Sequence, residues 1–166
     1  MAKTIAELVK PHFFYQFLFW TVLLQLLVWQ IENTTVIENA IEHGIAKISG
    51  FIYNFYSSQW FVEGNKMIHS DSSRFILVNR ACTALSLMAT LIAAFFSLTL
   101  SWKKKVILAI FAVLLIQIVN IFRITHLFYV VRQVDNHFVF FHLYFWQFIN
   151  FISALLIFNR LALSKT

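Results

Sequence analysis

Val78-Asn79-Arg80-Ala81-Cys82-Thr83-Ala84-Leu85-Ser86-Leu87-Met88-Ala89-Thr90-Leu91-Ile92-Ala93-Ala94-Phe95-Phe96-Ser97-Leu98-Thr99-Leu100 is the stretch on which the reading of the chain turns. A polar, extended segment passes within a few residues into an apolar run of membrane-helix character, and the single cysteine of the chain stands at the junction. A helix N-terminus presents free N–H groups and a partial positive charge, which favour a thiolate over a thiol; Arg80 pushes the same way. A free cysteine is also an ordinary small hydrophobe of apolar helices. The rest of the chain has to decide between the two.

Working outward, 60% of the 166 residues are hydrophobic, only 12% are charged, and 20 are Phe. A soluble globule of this size has too little interior for that much apolar surface. The composition therefore predicts an all-α polytopic membrane protein, folded as a single integral-membrane domain over residues 1–166. One cysteine excludes an internal disulfide. Met1–His12 reads as a polar leader, and Pro11 is placed to open a helix. Phe13–Ile31 is an apolar run sufficient to cross a bilayer core, too long for a signal-peptide core and without a small-x-small cleavage site, so it reads as an uncleaved first span. Three further spans are expected at Ala81–Leu100, Val106–Val131 and Phe138–Leu161.

The segment between the first two spans, residues 32–80, is predicted to lie outside. In Val36–Phe55 the residues Ile37, Ile41, Ile45, Ile48, Ile52 and Phe55 recur at helical spacing, with Glu38, Glu42, His43, Lys47 and Asn54 on other faces. This is the pattern of an amphipathic helix lying at the membrane interface. Gln59–Asn79 loses that period: Glu63-Gly64-Asn65 reads as a turn between short extended pieces, and Phe75-Ile76-Leu77-Val78 has strand composition.

Charge sets the expected orientation. With the leader, the Lys103-Lys104-Lys105 connection and the tail inside, Lys3, Lys10, Lys103, Lys104, Lys105, Arg160 and Lys165 face Glu7 alone. Outside, Lys47, Lys66, Arg74, Arg80 and Arg132 are balanced by acidic residues. Four spans with both termini cytoplasmic, in the cytoplasmic membrane, follow from this bias. The net charge of +6 is thus an orientation signal and does not point to nucleic acid.

That topology brings three reactive side chains to one depth. Cys82 starts the second span at its outer end, Arg123 lies about eight residues, or roughly 12 Å, inside the third, and His142 is about one turn into the fourth. An arginine within a span costs about 2.5–3.5 kcal/mol on insertion scales and is a functional candidate for that reason, the other reading being a side chain that snorkels to the headgroups. Asn120, Arg123 and His126 fall within about 120° of arc, and Gln117 extends that stripe inward. Asn120 reads as a supporting residue of the site or as a polar contact between helices. His142 stands in an apolar helix with no local reason to be there; a hydrogen-bonded packing histidine is its alternative. His12, His43 and His69 lie in polar segments and read as solvated, and His137 as a loop residue. The chain has no H-E-x-x-H, no paired cysteines and no carboxylate within a span, so neither metal nor cofactor is expected. The tryptophans read as an interfacial belt.

These residues resemble the exosortase/archaeosortase family of multi-pass membrane cysteine transpeptidases. The resemblance runs from the turn and extended segment at Glu63–Val78 through Ala81-Cys82-Thr83-Ala84-Leu85 and Val119-Asn120-Ile121-Phe122-Arg123-Ile124 to Phe141-His142, and covers roughly Trp60–Arg160. It implies a compact bacterial member in which Cys82, Arg123 and His142 are catalytic. It further implies substrates that are exported proteins with a C-terminal motif, a transmembrane helix and a basic tail, cleaved through a thioester and passed to an amine, lipid or glycan acceptor. Many relatives have Ser-Gly after the cysteine; here Thr83-Ala84 stands instead. The alternative is a non-catalytic membrane subunit that assists assembly of a surface polymer or complex.

Overall fold

The computed structural model describes residues 11–71, 74–132 and 137–163. Helix α1 is Pro11–Glu32 and α2 is Thr35–Tyr53. Three short strands follow, β1 (Trp60–Glu63), β2 (Lys66–His69) and β3 (Phe75–Leu77), then a single 3-10 turn at Arg80–Cys82. Helix α3 is Leu85–Phe96 and α4 is Trp102–Arg132; α5 (His137–Phe140) runs through a π-helical turn at Phe141–Phe145 into α6 (Trp146–Leu163). Three stretches, Pro11–Glu32, Trp102–Val131 and His137–Ala162, are helical, long and apolar enough to cross a membrane. The protein is an all-α polytopic membrane protein with a small sheet, organised as two compact units to which α4 contributes residues in turn.

The first unit comprises Leu85–Gln117 with the described parts of Met1–Gln30 and Phe151–Thr166. Here the span expected at Ala81–Leu100 is corrected. Helix α3 has 12 residues, about 18 Å of rise against a hydrocarbon core of about 30 Å. Its start is delayed to Leu85 because Ala84 takes a left-handed φ of 59°. At the other end Ser97 turns its hydroxyl onto Ala93 O (2.7 Å). Gln25 Nε2 of α1 donates to Ser86 O at 3.0 Å and to Thr90 Oγ1 at 3.3 Å, which ties α1 to α3. The Lys103–Lys105 cluster, expected in a connecting loop, occupies the first turn of α4. Positive charge at a helix N-terminus is unfavourable. One compensation is visible: Lys105 Nζ donates to Phe96 O (2.7 Å), an end carbonyl of α3.

The second unit, Ile31–Ala84 with Ile118–Asn150, holds every residue of the candidate site. Its three strands form an antiparallel meander in the order β1-β2-β3. Gly64 has φ 60°, the conformation required at the first central position of a two-residue type II′ hairpin between Glu63 and Lys66. Asn65 Nδ2 donates to Glu42 Oε2 (2.7 Å), and His43 Nδ1 bonds to Gly64 O, so α2 holds the hairpin turn by two side chains. Beyond the turn the Trp60 indole lies on Gly50, where a Cβ would overlap the ring, and Trp60 Nε1 is bonded to Asn54 Oδ1. The core of this unit joins Ile45, Ala46 and Tyr53 of α2, Met67 and Ile76 of the sheet, Val78, Cys82, and Ile124 and Phe128 of α4.

Two sequence readings are revised in this unit. Helix α2 is amphipathic, but its buried residues are Glu42, Ile45, Ala46, Ser49, Gly50 and Tyr53. Of the expected apolar ridge, Ile37, Ile48 and Phe55 are exposed (45%, 51% and 83%), as is Phe51. Glu42, read as part of a polar face, is buried because Asn65 reaches it. His69, read as solvated, is fully buried: the alternation of β2 turns it to the same side as Met67. Its Nε2 is 2.9 Å from Phe128 O and its ring stacks on Phe128.

Candidate active site

The cysteine turn is built from both sides. Asn79 is still extended (φ −122°, ψ −177°), and the chain then closes one 3-10 turn, with Cys82 N donating to Asn79 O (2.7 Å) and Thr83 N to Arg80 O (3.1 Å). Thr83 Oγ1 adds a bond to Arg80 O (2.8 Å). Arg80 is anchored to α2: its Nε is 2.5 Å from Glu38 Oε1 and its Nη2 donates to Glu38 Oε2 (3.3 Å). The carboxylate holds the guanidinium pKa above its ordinary value, mainly through the hydrogen bond. Arg80 therefore spends its charge on Glu38. The expectation that Cys82 begins a long helix is corrected: it closes the 3-10 turn, three residues before Leu85.

Ala84, where the resemblance implies glycine, holds a left-handed backbone. A left-handed φ of 59° costs an L-residue with a Cβ roughly 1–2 kcal/mol and costs glycine little. A glycine at this position, as the resemblance implies, would fit the backbone that this chain adopts with alanine. Ala84→Gly is expected to stabilise the purified protein by up to about 1 kcal/mol after the flexibility it adds to the unfolded chain, read as a higher thermal midpoint. A lower midpoint would show that the strain lies elsewhere.

Helix α4 brings its polar stripe to this turn. Asn120 is fully buried, and its Nδ2 donates to Cys82 O (2.7 Å). Arg123, one turn on, is 1% exposed, and its Nη1 reaches Ala81 O (3.4 Å). It points inward and does not snorkel. Its Nε and Nη2 are buried with no hydrogen-bond partner among the described residues, and the same holds for Asn120 Oδ1. Leaving such polar atoms unpaired costs about 1–3 kcal/mol each, more for a charged group. Arg123 lies within electrostatic range of both Cys82 and His142.

His142 is half-buried in the π-helical turn, stacked on Phe138 (centroids 5.5 Å, 10° between planes), and its Nδ1 is buried without a partner among the described residues. A π-turn inside an α-helix is uncommon and occurs often at functional sites. The structure thus joins Cys82, Asn120 and Arg123 through the main chain of residues 81 and 82, with His142 within electrostatic range of Arg123. Cys82 itself is 7% exposed.

A second polar element escaped the sequence. Trp146, read as interfacial belt, donates from Nε1 to His126 Nδ1 (3.1 Å). The indole can only donate, so His126 presents a lone pair there and carries its ring proton on Nε2. The pair lines an aromatic cavity of about 490 Å3 with Ile52, Tyr56, Phe122, Thr125 and Tyr129. Residues 126 and 146 stand on different helices, and no pattern along the chain announces their contact. Among the described residues no group of three or more His, Cys, Asp or Glu is placed to hold a metal ion.

Fold and site together define an integral-membrane protein with an internal thiol–guanidinium centre. The family model described as transmembrane exosortase (Exosortase_EpsH) matches residues 8–159, almost the full length, and the chain belongs to that family. This bears out the resemblance carried by the segments around Cys82, Arg123 and His142. Searches of curated proteins and of solved structures found no match.

Proposed function

We propose that this exosortase-family protein is a membrane cysteine transpeptidase that removes C-terminal sorting signals from exported proteins. The observation that carries the reading is Arg123: a buried guanidinium beside the only thiol of the chain, with Nε and Nη2 left without protein partners. Two nitrogen donors held out of water next to a nucleophile suit an oxyanion that exists only during reaction.

His142 takes the Cys82 proton, and the thiolate attacks the scissile carbonyl carbon, forming C–S as the carbonyl π-pair moves to oxygen. Arg123 holds that oxyanion. The C–N bond then breaks, the leaving amine takes the proton from the His142 imidazolium, and a thioester remains on Cys82. An acceptor amine attacks the thioester, the C–S bond breaks, and the proton that the acceptor nitrogen sheds passes through His142 to the Cys82 thiolate; water, or the hydroxyl of a lipid or glycan, resolves the thioester in the same way. Asn120 keeps the Cys82 carbonyl, and with it the turn, in place. Substrates are proteins with a C-terminal motif, transmembrane helix and basic tail. In membranes of Cys82→Ala cells these proteins keep their tails; removal at the normal rate contradicts the reading.

The site faces outward in the cytoplasmic membrane. The charge bias of the connections favours termini on the inside, and α2 with the residues just after it would rest the exposed Ile37, Ile48, Phe51 and Phe55 in the lipid interface. A reporter inserted at Asp71 is expected to be active outside the cytoplasm, and activity only on the cytoplasmic side would reverse the placement.

A further inference from the structure

Among the described residues strand β3 is an edge of the sheet. Val78 N donates to Asn65 O (3.0 Å) and His69 N to Arg74 O (2.8 Å). With Met67 opposite Ile76, the hydrogen-bonded positions of this strand are 74, 76 and 78. Phe75 and Leu77 alternate with them and turn their main-chain N–H and C=O groups to the open side. Their side chains are exposed too (51% and 44%), while Ile76 and Val78 are buried. An open edge with apolar side chains invites pairing and is usually blunted. Lys66 of β2 lies beside this edge, its Nζ 5.5 Å from the Phe75 ring centroid.

This edge leads to the nucleophile. After Leu77 the chain stays extended through Asn79 and closes the turn that ends at Cys82. Two extended residues and three in a 3-10 turn cover at most about 13 Å, the length of about four residues of an extended peptide. A peptide paired with Leu77 therefore reaches the thiol within a few residues of the pairing.

We infer that the open edge of β3 is the docking strand for the substrate: an extended peptide segment flanking the scissile bond adds to the sheet as a fourth strand. The inference rests on the peptidase reading above. Main-chain pairing supplies affinity that does not depend on sequence, and the exposed Phe75 and Leu77 side chains select what lies on one face. The bond to be cut is then fixed in register by the same strand that positions Cys82.

The test uses a proline at Leu77. It deletes an outward N–H and leaves the β2 ladder intact, as edge strands tolerate. The control is Val62→Pro on β1. Because Ser70 N donates to Gln59 O (3.2 Å), the N–H of Val62 also points outward, on the far edge. The probe is a tailed membrane protein that accumulates uncleaved in Cys82→Ala cells. Leu77→Pro is expected to slow its processing about tenfold or more, the worth of one hydrogen bond and its alignment, at unchanged membrane abundance. Val62→Pro is expected to process at the normal rate.

A second measurement covers a Leu77→Pro chain that fails to accumulate. In a Leu77→Cys, Cys82→Ala chain, disulfides to cysteines scanned along the probe are expected at alternate positions within about seven residues of the cleavage site, the spacing of a paired strand. Equal processing by the two proline variants, crosslinks without a two-residue period, or a crosslink between two copies of this chain would each overturn the docking strand. If Cys82→Ala itself leaves processing intact, the peptidase reading has failed instead.

Discussion

Arg123→Lys is expected to remove most processing activity, on the order of 10²-fold or more, while the protein still inserts and accumulates. The geometry says why a like charge does not suffice. Arginine presents five donors in a planar fork; here Nη1 reaches Ala81 O while Nε and Nη2 remain unspent. A lysine offers one nitrogen on a flexible stem. If that nitrogen bonds Ala81 O, the turn is kept but the oxyanion loses its aligned pair. If it swings to the oxyanion, the turn loses its partner. Removal of a single oxyanion donor in well-studied hydrolases costs about 10²–10³ in kcat, and here two are at stake. Insertion should be spared because lysine and arginine cost about the same within a span. Tail removal is measured in membranes normalised to the abundance of the protein. Near-normal processing by Arg123→Lys would reduce Arg123 to a charge that merely packs the turn, and the oxyanion role would fall.

Much of this site could be read from the chain alone, for identifiable reasons. Arg123 was conspicuous because a guanidinium in a span is expensive, and Asn120 because it lies on the same stripe one turn away. Gly64 in a two-residue hairpin and the β-branched and aromatic content of residues 75–78 announced the sheet.

What could not be read falls into two kinds. The first is conformation that the residue type hides. Alanine is the best helix former, so Ala84 gave no hint that it would delay the start of a helix, and the π-turn at Phe141–Phe145 has no sequence pattern. The second is the identity of the environment on an apolar face. In α2 the buried and the exposed faces are both rich in apolar residues, because one meets protein and the other is left open. Periodicity finds both and cannot say which is which. His69 belongs here as well: a strand slipped by one residue would turn it out, and only the register Trp60↔His69 turns it in.

Cys82→Ala is the most direct test of the central claim, that the lone thiol at the end of the β3 edge carries the acyl group. Alanine keeps the small apolar side chain that the core cluster of Ile45, Tyr53, Val78 and Phe128 surrounds, so the turn and its bonds to Asn120 and Arg123 should survive. What it removes is the sulfur. Without a nucleophile no thioester forms, and the remaining donors cannot substitute; losses of about 10³-fold or more accompany removal of a nucleophile in comparable sites. The measurement is mass spectrometry of C-terminal peptides in the membrane fraction, comparing wild-type and Cys82→Ala cells at matched protein levels. The account predicts that proteins with a helix-and-basic tail accumulate uncleaved in the variant, with their processed forms at background. Processed forms at wild-type levels in Cys82→Ala membranes would contradict it.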